Sequence, residues 1–169
     1  MLFPDEIDTL ARRVLDAARA ADIRIATAES CTGGLVLGAL CVIPGASDVI
    51  DRGFITYSND AKMQMLGVPV TTLEGFGAVS EPTARAMARG VLAHSSADLA
   101  VSVTGVAGPG GGGPDKPVGT VHLAVARRDG AMTSRREQFG DRPREAVQLA
   151  SVASALSMLL DALTRPPEG

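Results

Sequence analysis

The chain has 169 residues, 46% of them hydrophobic, and a formal net charge of −3 with both signs scattered. These values argue for one domain over 1–169 with a sizeable core and against disorder; the missing basic face and an aromatic content of 3% with no Trp argue against a nucleic-acid partner. No apolar run reads as long enough to span a membrane, and Met1-Leu2-Phe3-Pro4-Asp5-Glu6 lacks the basic and apolar regions of a signal peptide, so a cytoplasmic protein is expected.

Ile7, Leu10, Val14, Leu15 and Ala18 recur at helical spacing and predict a helix from about Asp5 to Ala21. An apolar strand follows at 23–28, and after the corner Glu29-Ser30-Cys31-Thr32-Gly33-Gly34 a helix runs to just before Pro44. Gly53-Phe54-Ile55-Thr56-Tyr57 reads as a second strand, and Asn59 to Leu66 as a short helix stopped by Gly67 and Pro69. Ser80-Glu81-Pro82 starts a helix that runs to about His94, and Leu99 to Val103 is apolar enough for a central strand. The loop from Gly105 to Pro117 holds six glycines and three prolines and has no apolar periodicity; loops of this length in a compact domain are usually functional or mobile. Thr120 to Ala126, the turn Arg127-Arg128-Asp129-Gly130 and a strand from about Ala131 to Phe139 form a hairpin. A final amphipathic helix spans about Pro143 to Leu163, and Arg165 to Gly169 is a frayed tail. Helices alternating with strands and ending in a hairpin predict an α/β sandwich with a mixed sheet.

Three motifs carry candidate chemistry. Ser30 stands where a strand turns into a helix, so its hydroxyl can face a ligand beside unpaired helix N–H groups, the local geometry of an acyl-transfer nucleophile with oxyanion donors. The plain alternative is that Ser30 or Thr32 caps the helix. Tyr57-Ser58-Asn59-Asp60-Ala61-Lys62 lies at a strand end, where α/β proteins place their sites. Lys62 near a helix start feels a field that disfavours its charge, and partial burial lowers its pKa further toward use as a base; otherwise it is a solvated surface lysine, with Ser58 or Asn59 as cap. The glycine loop contains a literal G-x-G-x-x-G from Gly108 to Gly113, but no helix begins there and no Lys-Ser or Lys-Thr closes it, so it is neither a Rossmann fingerprint nor a P-loop. Its backbone N–H groups could still wrap a phosphate. His94 reads as a helix C-cap and His122 as a packed strand residue. Cys31 is a rival nucleophile or, more commonly, a small buried core residue. Cys31 and Cys41 are read on one helix, a rise of about 15 Å apart, too far to bridge. Two His and two Cys without ligand spacing give no metal motif.

Taken together, Thr27-Ala28-Glu29-Ser30-Cys31-Thr32-Gly33-Gly34, Arg52 to Asn59 with Lys62, Gly77 to Glu81, Ser102 to Gly111 and Lys116 to Val121 resemble the C-terminal domain family of the competence-damage-inducible protein CinA over about 25–160. Family members include stand-alone nicotinamide mononucleotide amidohydrolases, and the chain looks like that form. The resemblance implies a three-layer α/β/α sandwich with a mixed sheet of about five strands, and a serine hydrolase of pyridine-nucleotide salvage that needs no metal or other cofactor. It makes Ser30 the nucleophile and Lys62 the base, with Tyr57, Thr32, Gly33, Thr104, Gly105 and Gly108 at the substrate. Gly140-Asp141-Arg142 is kept, which makes Arg142 the candidate phosphate ligand. However, Pro143-Arg144-Glu145 shifts the register, Gln148 stands where a second Arg is expected, and Arg144 is the substitute. The expected partner is a small pyridine nucleotide, with no nucleic acid and no membrane, in a homodimer or higher homo-oligomer. Two rival readings are an inert nucleotide-binding regulatory module and an interaction protein of competence or recombination.

Overall fold

Strand residues sort by size onto the two faces of one sheet. A computed structural model of the chain describes residues 1–165. Its helices are α1 (Asp5–Ala21), α2 (Leu35–Cys41), α3 (Asn59–Leu66), α4 (Val70–Phe76), α5 (Glu81–Ala93) and α6 (Arg144–Thr164), and its strands β1 (Ile25–Glu29), β2 (Ile50–Ile55), β3 (Leu99–Gly105), β4 (Thr120–Arg127) and β5 (Met132–Gln138). The strand order is β2-β1-β3-β4-β5. β2, β1 and β3 are parallel, and β4 and β5 join antiparallel.

One face presents Ile25, Leu99, Val101, Val103, Val121, Leu123 and Val125 to α1, α2 and α6. The other presents Ala26, Ala28 and Ala100 to the helices α3 to α5, and Ala124 and Ala126 to α5. Full burial of each large side chain on the first face stabilises by about 1.5–3 kcal/mol. The alanine face instead lets a helix lie close to the strands: Ser102 Oγ donates to the carbonyl of Ala84 in α5 at 2.6 Å. The result is the three-layer α/β/α arrangement with a mixed five-stranded sheet.

Several expectations are corrected. β2 begins at Ile50 rather than Gly53 because an edge strand tolerates the charged Asp51 and Arg52 that obscure it in the sequence. The helix α4 was not anticipated; with Thr71, Thr72 and Gly75 in seven residues it has weak intrinsic propensity and forms on tertiary contacts through Leu73. Cys31 lies in the turn before α2 rather than on the helix, and both thiols are free. Helix α6 is long and apolar enough by composition to match a membrane span, contrary to the first reading. Its buried residues, among them Val152, Leu156 and Leu159, pack in the core beside α1 and the sheet. The tail beyond residue 165 lies outside the described residues.

The helices α3 and α5 meet at Gly90, where a Cβ would collide with the backbone carbonyl of Leu66. Gly90→Ala should therefore destabilise by about 1–3 kcal/mol through overpacking. Gly75→Ala, where an added Cβ meets nothing within 4 Å, should stabilise α4 by about 0.5–1 kcal/mol. Urea unfolding of the two variants tests the opposite signs.

Candidate active site

Ser30 follows β1 directly, and its N–H donates to the carbonyl of Val103 at the end of β3 at 3.0 Å. The turn 31–34 then leads into α2, with Gly34 at the N-cap position and φ +105°, a conformation that a side chain would strain. No N-cap side chain serves this helix. Glu29, fully buried, does so from the end of β1: its Oε1 accepts from Val36 N at 2.8 Å and Thr32 Oγ1 at 2.7 Å, and its Oε2 from Leu37 N at 3.0 Å and Thr27 Oγ1 at 3.4 Å. Neither Ser30 nor Thr32 caps α2. Among the described residues no carbonyl, carboxylate or hydroxyl accepts from the N–H groups of Cys31, Thr32 and Gly34, and that of Cys31 has only its own thiol beside it.

The short helix α3 begins at Ser58, whose Oγ accepts from Ala61 N at 3.0 Å, as expected of a cap. Lys62, in the first turns of this helix, is 1% exposed. Its Nζ donates to Ser30 Oγ at 3.0 Å, to the carbonyl of Thr56 at 3.0 Å and to that of Tyr57 at 3.4 Å. All three partners are uncharged. Burial lowers the lysine pKa from its ordinary value near 10.5. Cys31 is buried too, and desolvation pushes its thiol up to about 12. A thiol held that high carries negligible thiolate at neutral pH, which disfavours a resting thiolate nucleophile at Cys31.

Ser30, Lys62, Tyr57, Thr104, Gly105 and Gly108 all line one cleft of about 290 Å³. Thr104 Oγ1 donates to the carbonyl of Ala78 at 2.8 Å, which fixes the wall opposite the serine corner. The guanidinium in the cleft belongs to Arg144, not Arg142: Nη1 donates to the carbonyl of Gly108 at 2.7 Å and Nη2 to the Tyr57 hydroxyl at 2.9 Å. The side chain of Arg142 is exposed and does not line the cleft. Thr32 is buried under the turn and Gly33 is exposed, so neither lines the cleft either. Gln148, at the position where an arginine was expected, donates from Nε2 to the carbonyl of Cys31 at 3.0 Å and braces the corner from α6. Glu29 escaped the sequence reading as a functional residue, although an acid seven and eight residues ahead of a helix's first free N–H groups, across two glycines, is a readable signal. His94 stands at the C-cap of α5 and His122 is half-buried on β4, both away from the cleft.

The depressed pKa of Lys62 has a stability consequence. Between its folded and unfolded pKa the unfolded chain binds more protons at this residue, so stability rises with pH through that window and is flat below it. Relative to Lys62→Met, the wild type should gain stability as pH rises toward 10.5; parallel stability–pH curves for the two proteins would show that the ammonium is not desolvated.

Comparison with known proteins places this geometry in a family. The family model described as CinA C-terminal domain matches residues 7–163. A CinA-like protein of Akkermansia muciniphila is 49% identical over 148 residues, covering 86% of this chain and 35% of that protein. A protein of Caldicellulosiruptor bescii named as a putative competence-damage inducible protein is 53% identical over 122 residues, 72% of this chain and 30% of that one. The chain thus spans about a third of the length of these relatives. An Enterobacter agglomerans protein named nicotinamide-nucleotide amidohydrolase PncC is 51% identical over 137 residues, with 80% of this chain and 82% of that one covered. The crystal structure of the competence/damage inducible protein CihA from Agrobacterium tumefaciens superposes with a TM-score of 0.95 at 52% identity, covering 98% and 99% of the two chains. The chain belongs to the CinA C-terminal domain family.

Proposed function

We propose that the chain hydrolyses the carboxamide of nicotinamide mononucleotide to nicotinate mononucleotide and ammonia. The observation that carries this reading is the buried Lys62 amine 3.0 Å from the Ser30 hydroxyl, with only neutral partners. The relative named nicotinamide-nucleotide amidohydrolase, matched along most of both chains, supports the substrate class.

Neutral Lys62 accepts the Ser30 proton as Oγ attacks the amide carbon, a serine–lysine variant of the triad logic. The N–H of Cys31, the one residue of the 31–34 turn that lines the cleft beside Ser30, is the donor for the oxyanion. The Lys62 ammonium then protonates the departing nitrogen, ammonia leaves, and an ester on Ser30 remains. Water, deprotonated by Lys62, resolves that ester to the acid and frees the hydroxyl. Arg144 spends two of its five N–H donors on a neutral carbonyl and a phenol, so its charge stays available for a phosphate at the cleft mouth, together with the glycine loop.

Ammonia release from nicotinamide mononucleotide, its riboside and free nicotinamide tests the proposal. Ser30→Ala should lower turnover by roughly 10⁴-fold or more with stability changed by only about 1 kcal/mol. Lys62→Arg should be as inactive as Lys62→Met, because arginine does not deprotonate, and the wild-type rate should fall on the acid side as Lys62 takes up its proton. An active arginine variant contradicts the base assignment.

Arg144→Ala should reduce kcat/KM for the mononucleotide by about 10- to 100-fold, the scale of a lost charged hydrogen bond of about 1.5–3 kcal/mol, and leave riboside use nearly unchanged. Arg142→Ala should do neither. Equal wild-type use of riboside and mononucleotide would show that no phosphate site operates.

A further inference from the structure

Glu29 is an acidic side chain sealed from solvent, yet it pairs with no cation among the described residues. A buried carboxylate is expensive unless its oxygens are fully engaged, and here the engagement has a direction. Oε1 takes the hydroxyl of Thr32 and the N–H of Val36; Oε2 takes the N–H of Leu37 and, at longer range, the hydroxyl of Thr27. Val36 and Leu37 are among the first N–H groups of α2, those that no carbonyl of the helix can reach. Thr32 lies inside the turn between Ser30 and the helix. One side chain therefore fixes both the middle of the turn, at Thr32, and the start of the helix, at Val36 and Leu37. The carbonyl of Cys31, held by Gln148 from α6, fixes the same turn from the other side.

We infer that Glu29 is a positioning residue for the oxyanion donor: by taking the N–H groups of Val36 and Leu37 and the hydroxyl of Thr32, it holds the 31–34 turn so that the N–H of Cys31 stays available beside Ser30 in the cleft. This rests on the serine-hydrolase reading above. Glu29 does not touch the substrate cleft. It shares no hydrogen bond with Lys62, whose acceptors are Ser30, Thr56 and Tyr57. Its loss should act on the transition state through donor placement and leave the base alone.

The isosteric variant is diagnostic. In Glu29→Gln one oxygen becomes an NH₂ group, and whichever way the amide turns, that NH₂ faces a backbone N–H, either of Val36 or of Leu37. The volume is kept and one hold on the start of the helix is released. The test combines kcat and KM for ammonia release with the rate and endpoint of Ser30 labelling by a fluorophosphonate, a probe whose own phosphoryl oxygen needs the same donor. We expect kcat and the labelling rate to fall by about 100-fold, the scale of an ångström-sized misplacement. KM and the acid limb of the pH–rate profile should be little changed, and labelling should still reach one probe per chain. The full endpoint separates donor placement from partial unfolding, which lowers the endpoint in proportion to kcat. Unchanged kcat and labelling rate in Glu29→Gln, or a loss wholly matched by a lower endpoint, overturns the inference. If Glu29→Gln does not fold, Thr32→Val and Thr32→Ser decide: valine removes the hydroxyl from Oε1 and should slow labelling, and serine should restore it; equal rates in both overturn the inference. Labelling of the wild type without ammonia release would sink the substrate assignment alone and leave Glu29 testable by labelling rates. A wild-type Ser30 that neither labels nor turns over overturns the serine reading and this inference together.

Discussion

A lysine amine buried against three neutral oxygens is the constraint around which the site is arranged. Two of those oxygens are the carbonyls of Thr56 and Tyr57, just past β2, and the third is the hydroxyl of Ser30, just past β1. They converge because β1 and β2 run parallel in a register that pairs Glu29 with Ile55, so both chains leave the sheet at the same level. The sheet thus delivers the serine hydroxyl, the proposed nucleophile, and the carbonyl acceptors from neighbouring strand ends, and α3 delivers the amine to them. With no carboxylate in its shell, burial is the larger influence on the amine and lowers its pKa, opposed by the neighbouring Cys31.

The corner holds a second ionisable group, Glu29, and the two are kept apart by giving each its own partners. The carboxylate belongs to the helix end and the amine to the strand-end carbonyls. An ion pair between them would favour the protonated lysine, against the base role proposed for it. The N-terminus of α2 provides the favourable field that the carboxylate would otherwise seek from a cation.

Much of this was legible before any coordinates. The strand-to-helix position of Ser30, the capping serine at 58 and the helical placement of Lys62 follow from local pattern, as do the final hairpin and the long terminal helix. What local pattern could not supply was the distance between Ser30 and Lys62, because 32 residues and a parallel strand crossing separate them; only the resemblance to a family joined them. Arg142 and Arg144 are two residues apart at a helix start, and only Arg144 enters the cleft, a choice that no periodicity encodes. The edge strand and α4 were obscured for opposite reasons: Asp51 and Arg52 are tolerated on an edge, and α4 is held by packing rather than by propensity.

The close contact of α3 with α5 at Gly90 has a consequence for how variation in this fold is interpreted. Leu66, which presses its backbone on Gly90, and Lys62 stand one turn apart on the same short helix. A displacement of Leu66 therefore moves the same short helix that carries Lys62. A side chain at position 90 would thus reach the proposed base through α3, although the residue lies outside the cleft and carries no reactive group. In a mutational map of activity, intolerance at Gly90 marks the packing of α3 on α5 rather than a contact with the substrate.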